Sequence, residues 1–217
     1  MRPGRLVILL GAMVLPHRIA AQITVRPGAL AAYVDHRVEA GFGPELSSGP
    51  IFGADVRVGM HRLTLSAAGS AGHLTARGGD AIDRDVAQLS LATEMLALSW
   101  LALDAGFTVR SYSTVLARQR WTIGRLGAEA RIPFSGGRAH AVARMGLYPL
   151  ASVDGLPRPS IAFESMAGLT YRAAPWDFDL RYALERCDFP TDAGGKRIEQ
   201  LSGLVLRVGW TGLRNAH

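Results

Sequence analysis

One cysteine, one lysine and no long apolar run beyond the first few residues mark this chain by what it lacks. A lone Cys187 excludes an internal disulfide and any metal site built from several thiolates. From residue 22 onward Arg, Asp or Glu interrupts every apolar stretch short of the roughly 20 residues a membrane-spanning helix needs. If this chain crosses a membrane, strands carry it. Signatures of chemistry are missing as well: no phosphate loop, no dinucleotide fingerprint, no His-Glu-x-x-His pair and no calcium loop. No cofactor and no metal is therefore expected. Lys196 stands alone among many arginines, a bias that suits bidentate pairing with carboxylates in confined places.

What is present begins with a leader. Arg2 and Arg5 precede the apolar stretch 6–15, and Ile19-Ala20-Ala21 follow it, in the order of charged region, apolar region and small-residue cleavage site of a secretory signal peptide. Residues 1–21 are expected to be removed, leaving 22–217 as a single domain; the competing reading is a retained N-terminal anchor. Arg2, Arg5 and Arg18 leave with the leader, which takes the formal net charge from +6 to +3. That bias is too weak to imply nucleic acid as a partner.

The mature chain repeats one unit, a run of about ten alternating apolar and polar residues followed by a turn. In 52–60, Phe52, Ala54, Val56, Val58 and Met60 share one face, while Gly53, Asp55, Arg57 and Gly59 share the other, as alternation on a β-strand requires. Ten such strands are expected: 29–42, 51–60, 63–76, 86–97, 101–112, 121–134, 139–152, 161–173, 178–189 and 198–210. The short connections 61–62, 98–100, 135–138 and 174–177 alternate with the longer ones 43–50, 77–85, 113–120, 153–160 and 190–197. The stretch 63–76 is poor in phase past Gly69, so an eight-stranded barrel is the fallback. Even strand number with this turn order puts both termini and the short turns on one side.

Strands of this kind, joined by alternately tight and loose turns, resemble the small β-barrel proteins of bacterial outer membranes. The likeness is one of architecture and carries no subfamily motif. It implies an all-β, antiparallel up-and-down transmembrane β-barrel, porin-like, in the outer membrane of a Gram-negative bacterium. Its short turns would be periplasmic, and its partners would be outer-membrane lipid and the assembly machinery that recognises a C-terminal strand such as 203–210. A soluble lipocalin-like barrel alternates too, but with its apolar face inward. Aromatics at both rims favour the membrane form: Phe42, Phe52, Tyr112, Trp121, Phe163 and Phe189 beside the long loops, Trp100, Phe134, Tyr171, Trp176, Phe178 and Trp210 beside the short turns.

The polar face is expected to line a lumen in which acids balance bases. The acids are Asp35, Glu39, Asp55, Glu94, Asp104, Glu129, Glu164, Asp179 and Glu185. The bases are Arg37, Arg57, Arg110, Arg125, Arg131, Arg144, Arg172, Arg181 and Arg207. An unpaired charge in such a place is expensive, so near-neutrality is what a confined lumen needs.

No catalytic group is expected. Some outer-membrane barrels are enzymes, such as the omptin proteases and those that deacylate or palmitoylate lipid A, and they need a histidine with a carboxylate or serine partner. His36 is the weak candidate: it shares a face with Val34 and Val38 and so is expected to point at lipid, where a polar group is costly. His61, His140 and His217 read as solvated or rim positions. Asp188, Asp192 and Glu199 bracket one loop, and Asp80, Asp83 and Asp85 crowd another near His73. These clusters read as solvated loops, with calcium binding or an omptin-like acidic site as the sharper alternatives. Cys187 is expected to pack rather than react. Four functions compete: a closed structural or interaction barrel, a narrow pore for a small solute, an enzyme acting on lipid or peptide, and a soluble periplasmic binder.

Overall fold

The computed structural model describes residues 23–41, 43–78, 81–191 and 196–211. Its elements are β1 (Ile23–Ala40), β2 (Pro44–Met60), β3 (Leu63–Gly78), β4 (Arg84–Leu98), β5 (Leu101–Ser113), β6 (Arg118–Phe134), β7 (Ala139–Val153), β8 (Ile161–Ala173), β9 (Trp176–Asp188) and β10 (Arg197–Trp210). Each strand pairs antiparallel with its neighbours in the chain, and β1 pairs with β10, so the sheet closes on itself. Closure leaves no unpaired edge. The weakly patterned β3 is a full member, laddered to β2 from Leu63 up to Gly78 with one irregularity near Leu46. The eight-stranded alternative is thereby excluded.

Both described ends lie beside the short turns, since Ile23 pairs with Met60 and Trp210 with Trp176. Left-handed backbone makes two of these turns tight: His61 has φ 53°, and Ser135, Gly136 and Gly137 have φ 51°, 67° and 78°. At the opposite end two of the expected loops are shortened by strand. Pro44–Met60 absorbs most of 43–50, and Arg118–Phe134 begins inside 113–120. The strands are 13 to 18 residues long, longer than the roughly 9–11 residues that cross a bilayer.

Register decides which side chains face in. Paired residues share a face, so Asp55 opposite Gly28 places Gly28, Leu30, Ala32, Val34 and His36 inside and Ala29, Ala31, Tyr33 and Asp35 outside. Carried around the ring, this phase divides the barrel into two halves. Near the short turns the interior is charged and the outer wall apolar. Near the long connections the interior is apolar: Val34, Leu74, Val86, Tyr112, Trp121, Ile123, Tyr148, Val153, Cys187 and Phe189 form one buried cluster. The outer wall there turns polar, with Asp35, Arg37, His73, Arg77, Asp85, Arg118 and Arg120 exposed.

That inversion corrects several expectations. Asp35, Arg37 and Glu39 face outward and not into the lumen; Arg37 and Glu39 pair with each other at 2.5 Å on the exposed wall, their side chains 50% and 40% accessible. Tyr112, Trp121 and Phe189 point inward and belong to no outer ring, each under 5% exposed. His36 also points inward and is 3% exposed. The alternation runs along the strands, broken on β7 where a bulge leaves Pro149 and Leu150 both outward, but its apolar face is the outer one below and the inner one above. Phase read from the upper half alone gives the wrong side.

Candidate functional site

Inward side chains of the lower half form a chain of ion pairs across the lumen. Asp177 accepts from Arg207 at 2.7 Å, and Arg207 Nε donates to both oxygens of Asp55 at 2.8 and 2.9 Å. Asp55 also holds Arg57 at 3.0 Å, which reaches Asp179 at 3.4 Å. Asp179 holds Arg181 at 3.0 Å, Arg181 meets Glu129 at 2.6 Å, Glu129 holds Arg131 at 2.8 Å and Arg131 ends on Glu94 at 2.5 Å. Acids and bases alternate along this chain, so the buried charges offset one another through guanidinium–carboxylate contacts.

A second group sits higher. Asp104 and Glu164 share Arg125 (3.1 and 3.4 Å) and Arg144 (2.5 and 3.2 Å), and the Tyr148 hydroxyl donates to Glu164 at 3.2 Å. Above it Arg110 spans Gln88 at 2.7 Å and Glu185 at 2.8 Å. Every lumen residue expected from the sequence outside β1 therefore sits on the inner face. Arg172 alone among them is in no ion pair among the described residues.

The sequence reading missed Glu45, Arg84, Asp177 and Glu199, which also face inward. One signal for some of them was visible. On a strand, residues two apart share a face, and Arg with a carboxylate two residues away recurs at Asp55/Arg57, Glu129/Arg131, Asp179/Arg181, Arg186/Asp188 and Arg197/Glu199. Such local pairs mark a face that carries charge, inside or out.

His36 lies in the apolar upper half with polar company. Its ring stacks on Tyr112 at 4.6 Å with 4° between planes. Arg84 lies 3.2 Å from Nδ1 and Glu199 3.6 Å from Nε2, and Arg84 also donates to Glu45 at 3.2 Å. The cavity beside it is about 20 Å³, room for one water and no substrate. Cys187 is buried in its wall. His73 stands elsewhere, on the exposed outer wall above the apolar band, 2.9 Å from Asp85 and 3.6 Å from Asp83. Those carboxylates, Asp85 foremost, raise its basicity. Among the described residues no group of three or more His, Cys, Asp or Glu is placed to hold a metal. Phe42, Asp80, Asp192, His217 and the expected leader 1–21 lie outside the described residues.

The remaining aromatics lie on the outer wall: Phe52 and Phe163 toward the long connections, Trp100, Phe134, Tyr171, Trp176, Phe178 and Trp210 toward the short turns. Tyr33, Phe107 and Tyr182 join them. At the short-turn end the lumen opens as a polar vestibule of about 390 Å³, with Arg26, Arg62, His140 and Arg172 in its wall.

The class these features define is a closed up-and-down β-barrel with an apolar outer girdle and a charge-filled lumen. No family model matches the chain, and no curated protein matches it. Among solved structures it is similar to Neisserial surface protein A at 10% identity and TM-score 0.40, over 86% of this chain and 97% of that one. The translocator domain of the autotransporter NalP from Neisseria meningitidis matches at 13% identity and TM-score 0.45, over 86% and 88%. The β-domain of the Bordetella autotransporter Brka matches at 14% and 0.49, over 86% and 99%. At these identities the likeness assigns no role.

Proposed function

We propose that the chain is an integral barrel of a bacterial outer membrane, exported by residues 1–21, whose filled lumen makes it a structural or interaction barrel and not a conduit. The observation that carries this reading is the outer wall. On all ten strands the outward positions of the lower half hold no charged side chain, for example Val25, Pro27, Ala29, Ala31 and Tyr33 on β1 and Trp210, Val208, Leu206 and Leu204 on β10. Exposed Leu89, Met145, Leu147 and Leu150, each at least 65% accessible, have no partner in water that would justify them. A soluble binder would carry its apolar face inward along the whole length.

The test is membrane extraction followed by planar-bilayer recording. The barrel is expected to leave membranes only with detergent, to migrate on gels in a heat-modifiable way and to give no discrete openings. Extraction by salt or carbonate alone would remove the membrane reading. Discrete openings would instead favour the second reading, a narrow path for a small anion, for which the arginine-lined vestibule speaks.

A further inference from the structure

The outer wall carries a groove of about 880 Å³ that none of the described residues fills. Its floor is made of small side chains on neighbouring strands, Gly69, Ala71 and Ala87, between Phe52 and Leu89. A Cβ at Gly69 would come within 3.2 Å of Leu89 Cδ2, so glycine there lets the leucine lie low along the floor. The far end of the groove is bounded by Arg118 and Arg120.

Register fixes how the groove lies. Phe52 pairs with Ala71, Ala71 with Ala87, Ala87 with Ser111 and Ser111 with Arg120, one continuous row across five strands. On β2 this row passes inside the apolar part of the wall, two outward positions short of Ser48. On β5 and β6 it has reached the polar part. The groove therefore climbs from apolar wall to polar rim, apolar at one end and cationic at the other. Both arginines are exposed, and neither is in an ion pair among the described residues. Asp85, at the same rim, is engaged by His73. Asp154 is the one carboxylate in the groove's wall, which leaves the arginine end net positive.

We propose that this groove holds a lipid of the surrounding outer leaflet that carries an exposed phosphate, with an acyl chain on the Gly69–Ala71–Ala87 floor and the phosphate between Arg118 and Arg120. Charge complementarity selects this occupant. Guanidinium forks match phosphate oxygens, and an acyl chain covers apolar wall that small residues have recessed. The inference rests on the membrane reading given above.

Native mass spectrometry of the detergent-folded barrel, with dioleoyl phosphatidic acid or dioleoyl phosphatidylcholine added, tests it. Phosphatidic acid should be retained about tenfold more strongly, the scale of one or two charge-assisted hydrogen bonds. R118Q/R120Q should abolish the preference, and Ala87→Trp should remove retention by filling the floor. R37Q/R186Q, which removes outward arginines already paired with Glu39 and Asp188, should leave the preference intact. Heat-modifiable migration is checked on each variant first. A barrel that fails that check fails as a membrane barrel. A folded barrel with no preference, or one weakened equally by R37Q/R186Q, overturns the lipid site alone.

Discussion

Arg207 and Arg37 make the same kind of contact on opposite faces of the wall. Arg207 is 2% exposed and holds Asp55 and Asp177 in the lumen. Arg37 is half exposed and holds Glu39. Burial separates their worth. Removing Arg207 strips Asp177 of its guanidinium and leaves Asp55 with Arg57 alone, and Arg207→Met is expected to cost about 3–5 kcal/mol. Arg37→Met should cost about 0–1 kcal/mol, because solvent screens an exposed pair. Urea-dependent folding into vesicles, followed by heat-modifiable migration, measures both; equal losses would contradict the assigned faces. His36 is also a packing residue here. His36→Ala should destabilise by about 2–4 kcal/mol, through lost stacking on Tyr112 and the loss of the imidazole beside Glu199. Lipid A acylation, compared by mass spectrometry, should be unchanged. Altered acylation with normal stability would restore a catalytic reading.

At the scale of the strand, one alternation serves two environments. On β10 the outward positions run from Trp210 through Val208, Leu206 and Leu204 to Ser202 and Gln200. Leu206→Arg puts a charge in the apolar band and should cost about 2–4 kcal/mol in folding free energy, whereas Gln200→Arg at the polar end should cost about 0–1 kcal/mol. Similar costs at the two positions would mean that no bilayer contacts the wall. The same change of environment explains which elements were readable. On β2, β6 and β9 the lower half holds Asp55, Glu129 and Asp179, and these set the phase correctly. On β1 the expected strand 29–42 starts beyond the inward Arg26, so its charges sit high, at Asp35, Arg37 and Glu39, and its lower part offers only Ala and Leu. Alternation there fixes a period but not a direction, so β1 was read inside out. Tyr112, Trp121 and Phe189 were misplaced for the same reason, since an aromatic near a strand end fits either a membrane girdle or an interior plug.

For the whole molecule the plug is the feature that separates a barrel from a pore. Trp121 and Phe189 meet edge to face at 6.0 Å within the buried upper cluster, above the charged groups. Trimming both to alanine is expected to turn a silent barrel into one with brief, small openings in planar bilayers. Silence in the double variant would show that the Arg110, Glu185 and Glu164 layer seals the lumen by itself. Strand number, antiparallel order, closure and the side on which the ends lie all follow from local pattern, because period-two alternation and turn order are properties of neighbouring residues. The position of each face relative to the axis does not follow, since the outer wall changes from apolar to polar along most strands. Only the ring of pairings, which carries the phase of Asp55 around to β1 and β10, decides it. The ion-pair chain from Asp177 to Glu94 was likewise legible as a balanced set of charges, but its partners lie on different strands, and proximity across a lumen is a property of the closed sheet.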